Sequence, residues 1–249
     1  MSNKFATAVV VLLVLVVAAM SFLVDRKMNS ASVQNQAIAP PPTVETAGSS
    51  APDNSNDPIA LFIGDFTNGS DEGGEGAKNF TSLLVGTAQT ATPLRSQAVG
   101  EGSGYVVAQA SPTFVDQVRR FVGPKDRVVV ISGSRNDIVA NPVDVRAAAA
   151  ETYELVQSLA PDATLLVVGP TFGKFEPTPE MLATRDAVKD AASAAGAAFA
   201  DPLELRWFNT GEPGLIGADN VHLTDLGHQR MSEYLTPAFA QALQSTKGG

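Results

Sequence analysis

From Ile59 onward, short apolar runs that end in glycine or a small residue alternate with longer stretches whose apolar residues recur every three or four positions. The runs Ile59–Gly64, Ser96–Gly100, Arg127–Ser132, Thr164–Gly169 and Ala198–Ala200 read as buried strands. Between them lie helical patterns. In one, Val145, Ala149, Thr152, Val156 and Leu159 fall on a single face; Asn141-Pro142 starts that helix and Ala160-Pro161-Asp162 ends it. Further helices are expected over Pro179–Ala195, closed by Gly196, and over Asp225–Leu243, which presents Met231, Leu235, Ala238 and Ala242. Strand and helix in alternation imply a parallel sheet covered on both faces. The expected fold class is α/β, a three-layer doubly wound domain with a five-stranded parallel sheet in the flavodoxin arrangement, spanning residues 58–246.

What precedes the domain differs in kind. Phe5 to Val24 carries no charge and is nearly all Val, Leu, Ala and Phe. At about 1.5 Å per residue such a helix covers the roughly 30 Å of a bilayer core. It is longer than the apolar region of a cleaved signal, and Ala18-Ala19-Met20 is a poor cleavage site, so residues 1–27 read as an uncleaved membrane anchor, with secretion as the outcome if they are cleaved. Lys4 on one side and Arg26-Lys27 beside Asp25 on the other specify orientation weakly; the domain is expected outside the cytoplasm, in the cell envelope. Residues 28–57 are Ser, Asn, Gln, Ala, Thr and Pro around Pro40-Pro41-Pro42, a composition that suits a disordered tether.

Composition narrows the chemistry. A net charge of −9 with no cluster of Lys and Arg argues against nucleic acid as partner. With no Cys there are no disulfides, and with only two histidines a structural zinc site is improbable; no metal or organic cofactor is implied.

Polar residues gather just after the strands, where open α/β sheets bind ligands. Gly64-Asp65-Phe66-Thr67-Asn68-Gly69-Ser70 follows the first strand, and Gly100-Glu101-Gly102-Ser103-Gly104-Tyr105 the second. Gly133-Ser134-Arg135-Asn136-Asp137 follows the third. Asp219-Asn220-Val221-His222 precedes the last helix, and three-residue spacing in a turn lets the carboxylate reach the imidazole. Taken singly, each has a plainer reading: a glycine-rich turn, a capped turn, two surface residues.

In this order the four stretches resemble the motif blocks of the SGNH/GDSL hydrolases, and the likeness covers residues 58 to 243. The resemblance implies the SGNH hydrolase fold and acyl-ester hydrolysis of a small ester, lipid or acylated glycan. It gives His222 the role of base, Asp219 that of its orienting carboxylate, and Asn136 that of a side-chain donor to the oxyanion. Gly102 becomes the backbone donor, with Gly100 or Gly104 as alternatives. Losing one such donor typically costs about 3–4 kcal/mol of transition-state stabilisation. Asp65 stands in the family's Gly-Asp-Ser, but the residue after it is Phe66. Either Phe66 occupies the serine position, or the serine is deleted and Phe66-Thr67-Asn68-Gly69-Ser70 matches what normally follows it. No hydroxyl follows Asp65, and phenylalanine cannot attack a carbonyl. Thr67 or Ser70 could substitute, or His222 could activate water directly. The alternative is a catalytically inactive relative that binds an acylated or carbohydrate ligand, or an envelope partner, in the same cleft. His228 reads as structural, and the aromatic residues Phe172, Phe175, Trp207 and Phe208 as pocket lining or rim packing, with Phe172 and Trp207 worth probing for ligand contact.

Overall fold

The structure, a computed structural model, describes residues 57–88, 93–99, 102–108 and 112–245. The proposed anchor and all but the last residue of the tether lie outside them. None of the described helices is long and apolar enough to cross a membrane.

Five parallel strands form one sheet: β1 (Ile59–Gly64), β2 (Arg95–Val99), β3 (Asp126–Ser132), β4 (Thr164–Val168) and β5 (Ala198–Ala200). Their order is β2-β1-β3-β4-β5, the flavodoxin order. Among the described residues, α1 (Phe80–Thr87), α2 (Phe114–Phe121), α3 (Pro142–Leu159) and α4 (Pro179–Ala194) lie between successive strands, and α5 (Asp225–Gln244) follows the last.

The period-2 alternation of strand side chains divides the core into two halves. Leu61, Ile63, Val129, Ile131 and Val167 point to one face, where Phe114 and Val118 of α2, Val145, Ala149, Tyr153 and Val156 of α3 and Val188 of α4 cover them. Phe62, Val128, Val130, Leu166 and Val168 point to the other, under Phe80 and Leu84 of α1 and Met231, Leu235 and Phe239 of α5. Both faces are closed, which is why β1 and β3 are nearly continuous apolar runs. Local signals set the ends. Asn141 accepts from Val143 N ahead of Pro142, Thr178 from Met181 N ahead of Pro179, and Thr224 from Gly227 N.

Most expected elements are present, with small shifts. β2 starts at Arg95, one residue earlier than expected, because Arg95 N donates to Pro58 O and pairs with Ile59. β4 stops at Val168, and Gly169 N then bonds Ala200 O outside the strand. α4 ends at Ala194 and Ala195 caps it. Leu159 is only half-buried, so the buried stripe of α3 ends at Val156.

Candidate active site

The chain runs from β1 to β2 on one side and then crosses to β3 on the other, so the sheet changes direction between β1 and β3. A crevice opens there at the carboxyl ends of the strands. Gly64, Asp65, Phe66, Asn68, Gly69, Ser70, Gly102, Arg135, Asn136, Val221 and His222 line a cleft of about 510 Å³ at this place. Four sequence-distant segments thus converge on one space.

The turn after β1 is tight because Gly64 lies against β3. At φ 115° an added Cβ would stand 2.0 Å from Ser132 O, so only glycine fits. Asp65 N then donates to Ser132 O at 2.7 Å, and Thr67 Oγ1 donates back to Gly64 O at 2.9 Å. This forces Phe66 to φ 61°, a left-handed conformation that costs a bulky residue roughly 1–2 kcal/mol. The turn is held from outside by Asn79, whose Nδ2 donates to Phe66 O and to Gly74 O, each at 3.1 Å. The Phe66 ring stands edge-on to His222, with centroids 6.5 Å apart. A phenyl ring, not a hydroxyl, follows Asp65 on this side of the cleft.

Thr67 is ruled out as a substitute nucleophile in this conformation, because it is buried with its hydroxyl bonded inside the turn and does not line the cleft. Ser70 does line it, and its Oγ accepts from Glu72 N at 3.3 Å.

His222 and Asp219 share one loop. Asp219 Oδ2 meets His222 Nδ1 at 2.5 Å, and Oδ1 accepts from Val221 N at 2.8 Å and His222 N at 2.9 Å. The Val221 N–H, then the imidazole and the His222 N–H, hold this carboxyl down at about 2, so it is ionised at neutral pH. A carboxylate on Nδ1 favours the tautomer that leaves Nε2 as the basic nitrogen. Glu72 braces the loop: Asp219 N donates to its Oε1 at 3.3 Å, and an added Cβ at Gly217 would meet its carboxyl carbon at 2.3 Å.

On the far wall, Asn136 sits in a short 3-10 turn, Arg135–Val139. Its Nδ2 donates to Ser103 O at 3.2 Å, which ties this turn to the Gly102 segment. Of the candidate backbone donors, Gly102 lines the cleft, while Gly104 does not and already donates to Val107 O at 2.9 Å. Gly100 lies outside the described residues.

Two contributors to the cleft's geometry, Asp137 and Arg135, escaped the sequence reading; for Asp65, which the sequence reading did single out, only its burial was unforeseen. Asp137, expected only to cap a turn, is fully buried and accepts from Tyr105 N, Val106 N and Val107 N at 2.8–3.0 Å and from Ser134 Oγ at 2.8 Å. It is the clamp that fixes the Gly102–Tyr105 segment against β3. Asp65 is buried, and desolvation pushes its carboxyl up to about 7 against the opposing pull of Arg135. Arg135 itself stands in the cleft, its guanidinium 6.0 Å from the Phe172 ring centroid. The available signal was adjacency: a charged residue on either side of an expected amide donor, directly after a buried strand.

His228 is structural as expected. It is buried, stacked on Phe80 with centroids 6.1 Å apart, and accepts from Phe80 N through Nδ1. Trp207 and Phe208 are buried, and Trp207 stacks on Tyr234 of α5, so packing beneath that helix makes Trp207 unavailable as a ligand probe. Phe175 is half exposed at the rim of a small separate depression that Phe172 and Phe208 also border.

Known proteins share this fold. The solved structure of the inhibitor-bound M. smegmatis aryl esterase superposes with a TM-score of 0.57 at 15% identity, covering 75% of this chain and 100% of that one. Est24, a carbohydrate acetylesterase from Sinorhizobium meliloti, superposes with a TM-score of 0.56 at 13% identity, covering 74% and 99%. At such identities the likeness is one of fold. In sequence, the chain is 36% identical over 192 residues to the GDSL lipase Rv0518 of Mycobacterium tuberculosis, covering 75% of this chain and 83% of that protein. Residues 62–230 match the GDSL-like lipase/acylhydrolase family, and this match with the Mycobacterium tuberculosis relative places the chain in that family.

Proposed function

We propose that this protein binds acyl esters in the cleft and hydrolyses them slowly by direct attack of water, with His222 as base. The observation that carries this reading is the intact Asp219–His222 pair facing Gly102 and Asn136 across a cleft in which no hydroxyl follows Asp65. His222 Nε2 takes a proton from water as the water oxygen bonds to the ester carbonyl carbon. The oxyanion that forms is met by the Gly102 N–H and the Asn136 amide, and Asp219 stabilises the imidazolium. The carbon–oxygen ester bond then breaks, the leaving alkoxide takes the proton back from Nε2, and an acid and an alcohol depart. Family enzymes divide the reaction through an acyl-serine; this route omits that division and is correspondingly slow. Base and oxyanion donors without the nucleophile retain about 10³–10⁴-fold over water. The substrate class is a small ester, lipid or acylated glycan, and Phe5–Val24 holds the domain at a membrane on the non-cytoplasmic side.

The Phe66 ring beside His222 favours a second reading, a binding protein without turnover. p-Nitrophenyl acetate separates the two. Slow turnover that His222→Ala lowers by at least about 100-fold supports hydrolysis, and turnover indifferent to that substitution, or none, leaves only binding. Insertion of Ser between Asp65 and Phe66 is expected to raise the rate, because the base and the donors are already in place. An unchanged rate would mean that their positions no longer serve catalysis.

A further inference from the structure

Arg135 is the cleft residue for which ester hydrolysis has no use. It extends from the same turn as Asn136 and lines the same cleft as the oxyanion donors. Among the described residues, Arg119, Arg185, Arg206 and Arg230 each meet a carboxylate within 2.8 Å. No described carboxylate lies within ion-pair distance of the Arg135 guanidinium. Asp65 behind it is an incomplete counterion, because burial keeps its carboxyl partly protonated at neutral pH.

The Phe172 ring, at the neighbouring depression, has its centroid 6.0 Å from the Arg135 guanidinium carbon. A ring engages a guanidinium through its flat face, which leaves the N–H edge for bonds in the plane. That edge matches the two oxygens of a carboxylate or phosphate. A chain of net charge −9 repels anionic ligands in general, so a cation placed inside the cleft selects where an anion can settle.

We propose that Arg135 makes the cleft a receptor for acyl compounds that carry an oxyanion, a carboxylate or a phosphate, close to the acyl carbonyl. This inference rests on the reading of the cleft as an acyl-binding site. The acyl carbonyl faces Gly102 and Asn136, and the anionic group pairs with the guanidinium edge beside Phe172.

Calorimetric titration of the full chain with three hydrolysis-resistant probes tests it: N-hexanoylglycine, N-hexanoylaminomethylphosphonate as the phosphate mimic, and the neutral N-hexanoylglycine methylamide. At least one anionic probe is expected to bind about tenfold more tightly than the amide, and which of them does so distinguishes carboxylate from phosphate recognition. Arg135→Gln should bring the anionic probes to the affinity that the same variant shows for the amide, and Arg135→Lys should keep part of the preference. Thermal melting of both variants checks that they fold. Equal affinity of all three probes for the wild-type chain, or a preference that survives Arg135→Gln, overturns the role of Arg135 and leaves the acyl-binding cleft standing. Failure of all three probes to bind overturns both.

Discussion

Asp65 and His228 are both buried titratable groups, and burial acts on them in opposite directions. Asp65 is raised from 3.8 to about 7, so between those values the native state holds a proton that the unfolded chain has released. Its contribution to stability therefore falls as pH rises through this window. Asp65→Asn, which keeps the shape without the charge, is expected to stabilise the protein above pH 7 by on the order of 1–3 kcal/mol and to change little near pH 4. Urea unfolding at pH 4 and pH 8 measures this, and equal shifts at both would show that Asp65 does not carry a buried proton. For His228 desolvation lowers the imidazole from 6.5 to about 4, so its stabilising effect is lost as pH falls from 6.5 toward 4. Neither shift was legible in the sequence. The pattern showed a carboxylate after Gly64 and a histidine in a first helical turn, but burial depends on neighbours 67 to 148 positions away, such as Ser132 and Phe80. Phe66 was legible, because a missing hydroxyl needs no structure to be seen.

Among the elements, the segment after β2 shows how a loop acquires a fixed shape without secondary structure of its own. Its order comes from a carboxylate on another strand's loop, since Asp137 gathers three successive N–H groups from Tyr105, Val106 and Val107. Gly104 lies so close that an added Cβ would stand 2.2 Å from Asp137 Oδ1, whereas one at Gly102 would meet nothing within 4 Å. Gly104→Ala is therefore expected to cost about 2–4 kcal/mol by displacing a buried, fully bonded carboxylate. Gly102→Ala should lie within about 0.5 kcal/mol of wild type and keep its backbone donor. Thermal unfolding of the pair decides it, and equal losses would mean that the clamp is not what holds this segment. Sequence reading valued the two glycines the other way round: it sought the donor, whereas the steric demand falls on the neighbour. The bounds of α3 and α4 were readable to within a residue because Asn141-Pro142, Pro179 and Gly196 signal locally. The edges of β2 and β4 were not, because pairing with Pro58 and Ala200 sets them.

For the whole molecule, the sheet order places the two strands that bear the cleft in the interior and leaves β2 and β5 at the edges. β1 pairs from Ile59 to Gly64 with β3 and from Ile59 to Ile63 with β2, while β5 contributes only three residues, Ala198–Ala200. Strands with partners on both sides open only when the sheet as a whole does. Native-state hydrogen exchange in low denaturant should therefore show β5 amides exchanging through small local openings and those of Phe62 and Val130 only through global unfolding. A single common protection level for all strands would contradict this. The fold class was legible because alternation and run length report a two-faced sheet; the convergence of four loops was expected from their placement after strands and their family order, and the crossing from β2 to β3 brings it about. That crossing has a consequence for how such a protein ages. Damage that frays β5, the edge farther from the Gly102 segment, by heat or by a protease nick, would leave the groove between Asp65 and Asn136 standing, so ligand capture should outlast the loss of that edge.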